Sequence, residues 1–435
     1  MLDTLRNIFK VEDLRRRILF TLLMLVVFRI GSFIPVPNTN ADVIKQLVSQ
    51  GQGVFNLMNA FSGGAFTNFS IFAMGIMPYI TASIIVNLLS MDVIPAFSRW
   101  AKEGEVGRRK MSQVTRYITI GLAIIQSIGM TIGFNNVSNN LGGFIKDDSF
   151  WGYALISITL TAGTAFLMWL GEQITDKGIG NGISILIFAG ILSSIPSGIQ
   201  LVYPTLFPSG GNITMGVLKA IGIVLVIVLV IVASIFIQQG VRKIPIQYTK
   251  RIVGRKMYGG QSTHIPLKVN AAGVIPIIFA VALVMFPYTI ASFWRGNPVA
   301  DWIMVNFDYT QSVLGVVLYV LFIIGFTYFY TFVQINPMQL ADQLKKNGGF
   351  IPGVRPGKTT EKYMTKLLNR LTLSGSIFLA LIAILPVFFI MLAGLPQSVQ
   401  IGGTSLLIVV GVGLELMKTI ESQLIQRHYK GFMKK

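Results

Sequence analysis

Ten runs of about twenty mostly apolar residues divide this chain of 435 residues, and that spacing leaves few folds open. A helix needs roughly 20 residues to cross a hydrocarbon core about 30 Å thick. The runs fall near 17–34, 71–91, 115–134, 150–171, 182–201, 213–237, 271–293, 312–335, 373–395 and 404–424. Hydrocarbon offers backbone N–H and C=O groups no partner, so such runs must be helical. The run 220–237 holds no charged residue, whereas the fifth run is weakened by Gly, Ser and Pro at its ends. An all-α, polytopic membrane protein of ten transmembrane helices is expected.

Charge then orients the runs. A net charge of +19 on a soluble face would suggest nucleic acid, but here the basic residues lie between the runs. Thirty-one of the 36 Lys and Arg fall on one side of the ten-span pattern, and only Lys45, Lys146, Lys219 and Arg295 on the other. The positive side is expected to be cytosolic, which puts both chain ends in the cytosol. Arg29 sits inside the first run. Arg15, Arg16 and Arg17 before an apolar stretch resemble a secretory signal. No small-x-small cleavage site follows, and the run continues to Pro35-Val36-Pro37, so an uncleaved first span is expected.

Two basic loops, 238–270 and 336–370, exceed what connectors need, and loops of that length are commonly functional or disordered. A third segment, 51–68, has a moderately apolar part, Val54 to Ala65, that would rise only about 18 Å as a helix. Glycine pairs bracket it. It is too short to span, and the residues alone leave open a re-entrant piece or an interfacial helix.

Several chemistries are disfavoured. The chain has no Cys and only His264 and His428, so disulfides, thiol catalysis and a metal cluster are not expected, nor is any cofactor. Ion-coupled carriers bind their ions through ionisable groups at depth. Here Lys219, Glu415, Lys418 and Glu172 lie toward span ends and Arg29 lies inside the first run, with no acidic residue at mid-depth. No Gly-x-x-x-x-Gly-Lys-Ser/Thr loop exists to cradle a nucleotide, so any work done must be driven by a partner.

The run Phe69-Ser-Ile-Phe-Ala-Met-Gly-Ile-Met-Pro-Tyr-Ile-Thr-Ala-Ser-Ile-Ile85 resembles the signature of the SecY family, the pore subunits of the general protein translocase. Four more segments resemble it in family order. They are Gly178-Ile-Gly-Asn-Gly-Ile-Ser184, Gln261 through Pro276, Gly349-Phe-Ile-Pro-Gly-Val-Arg-Pro-Gly357, and Gly402-Gly-Thr-Ser-Leu-Leu-Ile408. Asn87 departs from the more usual Gln but keeps a carboxamide.

The resemblance implies two inverted halves of five helices, here 1–205 and 206–435, around an hourglass channel. It implies a pore ring of Ile80, Ile84, Ile183, Ile187, Ile278 and Ile408. Stiff, apolar isoleucines would oppose ions by dewetting. By pattern alone each reads as ordinary helix packing. A plug at about 54–66 would comprise Val54, Phe55, Asn56, Leu57, Met58, Asn59, Ala60, Phe61, Ser62, Gly63, Gly64 and Ala65. A lateral gate would open between the second, third, seventh and eighth spans. Asn87 and Gln126 are candidate latches there, with bonding to a local carbonyl as the plain alternative.

The two basic loops would dock the driving partners, the SecA ATPase and the ribosome. Arg355 would act in one loop, with Arg242, Lys243, Lys250, Arg251, Arg255 and Lys256 in the other. RNA contact would be to backbone phosphate and salt-sensitive. The small membrane subunits SecE and SecG, unfolded preprotein, signal peptide and lipid complete the implied partners, and the location that the family resemblance implies is the plasma membrane.

The expected function is a passive protein-conducting channel and not an enzyme. A secondary transporter of a small solute is the alternative, marked by gradient-driven solute uptake. An insertase or scaffold without a pore is the third reading, marked by absence of ion leak on plug deletion.

Overall fold

The computed structural model describes residues 11–432, apart from 41–42, 45–58, 60, 91–93, 139–142, 208–212, 249–250, 254–255, 259–261, 292–293, 295–296, 310–311 and 394–403. Each of the ten apolar runs carries a helix. In chain order, α1 is Glu12–Gly31, α2 Met77–Leu89, and α3 Pro95–Lys102, a short helix on the basic side. Then come α4 Glu105–Ser138, α5 Phe150–Lys177, α6 Gly182–Leu206 and α7 Ile213–Gln239. Past a sheet lie α8 Ile275–Ala291, α9 Pro298–Asn306, α10 Val313–Gln334, α11 Pro337–Lys346, α12 Lys358–Ala393 and α13 Thr404–Phe432. Six of these, α4, α5, α6, α7, α10 and α12, are long and apolar enough to cross a membrane by length and composition.

The second span departs from expectation. Its apolar run begins near 71, but residues 71–76 form turns and helix starts only at Met77, with Pro78 in its first turn. Gly75 is at φ +58°, a left-handed conformation that ends any helix entering from before it. The 13-residue helix is short for a bilayer. Its lead-in is covered by protein: Gly163 lies so near that a Cβ there would clash with the Ile71 carbonyl oxygen at 1.8 Å. Irregular backbone survives at depth under that cover.

The long basic loops also depart from a loop reading. The first folds into strands β1 Val241–Tyr248 and β4 Ser262–Lys268, antiparallel with Ile244 opposite Ile265. The short strands β2 Arg251–Val253 and β3 Lys256–Tyr258 pair at its tip. The second loop supplies α11 and β5 Gly349–Phe350, and β5 joins β1, giving the order β4-β1-β5. Alternation buries Ile244 and Ile246 on one face. Ile244, Leu267, Ile351, Met364 and Leu368 form a core of their own against the first turns of α12.

In the membrane part, α4 packs on α2 and α5, α5 on α1 and α6, α10 on α8 and α12, and α13 on α7 and α12. These two groups meet along two seams: α8 lies against α2 and α4, and α6 against α7 and α13. One large apolar cluster fills the space between them.

Candidate functional site

The motif at the α5–α6 corner sets the position of two expected ring residues. Gly178 ends α5, and Gly180 takes φ +70°. The Asn181 side chain then caps α6 by accepting from the N–H groups of Ile183 at 3.0 Å and Ser184 at 3.4 Å. Gly182 must lack a side chain, because a Cβ would stand 1.9 Å from the Gly171 carbonyl oxygen. The close corner aims α6 so that Ile183 and Ile187, one turn apart, enter the central cluster.

That cluster unites all six expected ring residues. Ile80, Ile84, Ile187, Ile278 and Ile408 are buried members and Ile183 packs against it half-buried. They come from four helices, α2, α6, α8 and α13, drawn from both groups of spans. On the basic side a cavity of about 760 Å³ leads down to Ile80, Ile183, Ile187 and Ile278. Its rim is polar and includes Arg109, Gln113, Asp176 and an Arg116–Glu172 ion pair at 2.7 Å. A second cavity of about 600 Å³, lined in part by Gln238, Asn270 and Lys418, also reaches Ile278. The arrangement is a wide polar vestibule narrowing onto aliphatic side chains.

Against the cluster lies the described part of the expected plug. Residues 54–58 and 60 of that segment lie outside the described residues. Asn59, Phe61 and Ser62 are helical and 63–69 form turns. Phe61 and Ala65 are buried in the same cluster as the isoleucines. The segment is tied internally by Asn59, whose Oδ1 accepts from the Thr67 N–H at 3.0 Å. Its carbonyl accepts from the Gly64 N–H at 3.0 Å.

Of the two expected latches, Asn87 lines the vestibule on α2. Its carbonyl accepts from the Ser90 hydroxyl at 2.7 Å. Gln126 is half-buried on α4. Behind that seam, within the second group of helices, Phe279 of α8 meets Phe326 of α10 edge-on at 5.7 Å.

On the basic side, Arg355 is exposed in the turn 351–357. Gly353 (φ +80°) and Gly357 (φ +100°) take conformations that other residues resist. The Arg355 carbonyl accepts from the Thr360 hydroxyl at 2.9 Å, and neighbouring Val354 packs into the sheet's core. Arg242 and Lys243 are exposed on β1 of that same sheet. The two loops, nearly a hundred residues apart in sequence, therefore form one unit. Arg251 and Lys256 stand on β2 and β3, while Lys250 and Arg255 lie outside the described residues.

The SecY family model matches residues 70–417. A protein translocase subunit SecY from Halalkalibacterium halodurans is 60% identical over 436 residues, covering 100% of both chains. The chain belongs to the SecY family. Two solved structures share the fold. One is a SecY protein whose plug domain stabilises the closed channel and maintains a membrane seal, with TM-score 0.66, 18% identity, and 97% and 95% of the two chains covered. The other is Sec61 in the canine ribosome–channel complex from the endoplasmic reticulum, with TM-score 0.61, 16% identity and the same coverage. SecY relatives are translocase subunits of the membrane and not a catalytic family.

Sequence reasoning missed two features of this SecY-family site. The first is the sheet that fuses the basic loops, because Pro245 and the charges of β1 disguise its alternation. The second is the partner of Arg29, whose guanidinium donates to the Gly63 carbonyl oxygen at 2.7 Å. A backbone acceptor leaves no residue-type signal to find.

Proposed function

We propose that this chain is a passive, gated channel for unfolded polypeptide in the plasma membrane, with both ends cytosolic. It works as two inverted halves, 1–205 and 206–435. The six isoleucines form the neck and the 54–66 segment seals it. The seam of α2 and α4 against α8 and α10 opens to release apolar helices into lipid. Energy comes from partners docked on the basic unit: the ribosome, bound through RNA backbone, and the SecA motor. SecE and SecG complete the assembly.

The observation that carries this reading is the gathering of all six isoleucines, from four helices, in one apolar cluster; four of them, Ile80, Ile183, Ile187 and Ile278, line the foot of the polar vestibule. An aliphatic constriction resists wetting yet offers a sliding chain no hydrogen bond. The vestibule's openness to the basic side supports entry from the face where the partners would sit. Replacing Ile84 and Ile187 together with Gly widens and wets the neck. Planar bilayers holding the assembled translocon are expected to show larger resting single-channel currents. Unchanged currents would count against the ring.

A further inference from the structure

Arg29 lies inside the first apolar run, on the far side from the basic face, where a cation runs against the charge bias of the chain. Ionisable groups at depth are kept where they meet an interior partner, commonly a backbone carbonyl. A free arginine there would extend toward headgroups. Instead its Nη1 donates to the Gly63 carbonyl oxygen at 2.7 Å, and its guanidinium sits 5.1 Å from the centre of the Phe33 ring. Among the described residues it has no carboxylate partner.

Gly63 is shaped for this contact. It is buried at φ +67°, and a Cβ would stand 2.8 Å from Ser193 Oγ and 3.0 Å from Gly190 Cα on α6. A Cβ on Gly190 would in turn meet the Phe61 carbonyl oxygen at 2.7 Å. Glycine therefore faces glycine where the 59–65 segment lies on α6, and its carbonyl is presented to α1. The Ser193 hydroxyl lies 3.3 Å from the same oxygen but donates to the Gly190 carbonyl at 2.7 Å, so Arg29 is the principal donor.

We propose that Arg29 is a positioning residue that latches the 59–65 segment at Gly63 in the resting channel. The proposal rests on reading that segment as the plug. A charge-assisted bond is stronger than a neutral one, so it biases the closed state. The acceptor is a neutral carbonyl, not a carboxylate that would grip far harder in a dry site. Water entering as the funnel opens competes for the guanidinium, so wetting and release reinforce each other. The latch holds at rest and yields once opening begins.

The test uses the natural absence of Cys. Ser62, 2% exposed, is replaced by Cys as the sole thiol, and the assembled translocon is placed in proteoliposomes. A membrane-impermeant maleimide is added on the side opposite the basic face. Arg29→Met is expected to raise the labelling rate on the order of tenfold to a hundredfold. Arg29→Gln serves where the Met variant fails to insert and should shift the rate in the same direction; Ser193→Ala should shift it less. A labelling rate equal to that of the Arg29 parent overturns the latch. Deletion of residues 59–65 separates the two readings. If the deletion raises resting conductance while neither Arg29 variant changes labelling, the latch fails and the plug stands. If the deletion leaves conductance unchanged, plug and latch fall together.

Discussion

The isoleucine cluster and the basic unit are held in shape for opposite reasons. The neck is made of residues that any membrane helix uses, so its shape is set by where helices are brought close. Gly182 against Gly171 and the cap from Asn181 fix α6, and the side chains follow. The basic unit is held by backbone geometry that few residues can adopt. Gly353 and Gly357 bracket Arg355, and a small sheet joins two distant loops. Inside the membrane the side chains are of an interchangeable kind and their placement is not; outside it, the backbone holds one particular charge, Arg355, outward.

That contrast predicts a ranking of effects. The largest is expected from Arg355→Glu. Reversing a charge held outward on a stiff turn should cut partner-driven secretion about a hundredfold, while the chain remains inserted. Secretion assays with inverted vesicles read this, and a normal rate would remove the docking role. Next is Gly182→Ala, which forces a methyl into the Gly171 carbonyl and moves Ile183 and Ile187. Overpacking of this kind costs about 1–3 kcal/mol. It should lower the unfolding temperature of the purified protein and raise resting conductance.

Gly357→Ala sharpens the comparison, because a Cβ there meets nothing within 4 Å and only the φ of +100° resists it. A strain of about 1–3 kcal/mol should weaken partner binding several-fold without changing charge or conductance. The smallest effect is expected from Lys243→Gln, about twofold in partner association and fading as salt rises. Titrating salt across both readouts divides the regions: partner binding should weaken, and the seal should not.

The legibility of the sequence divides along the same line. A helix in each of the ten apolar runs was readable because hydrocarbon tolerates nothing else. The start of α2 was not, since Gly75 and Pro78 break a run that hydropathy alone continues. The sheet hid because Pro245 and the exposed charges Arg242 and Lys243 mask the alternation of β1. The six isoleucines carried no local mark, and only resemblance singled them out. Arg29 stood out as an oddity, but its carbonyl partner could be found only in three dimensions.

The central claim is that a threading chain passes through the isoleucine cluster. Single cysteines at Ile80, Ile183, Ile278 and Ile408, in a chain otherwise free of thiols, can be crosslinked to a stalled secretory polypeptide. All four positions should join to the same short stretch of that polypeptide, while a lipid-facing control such as Leu229 on α7 should not. Crosslinks absent from the four, or as frequent at Leu229, would contradict the account.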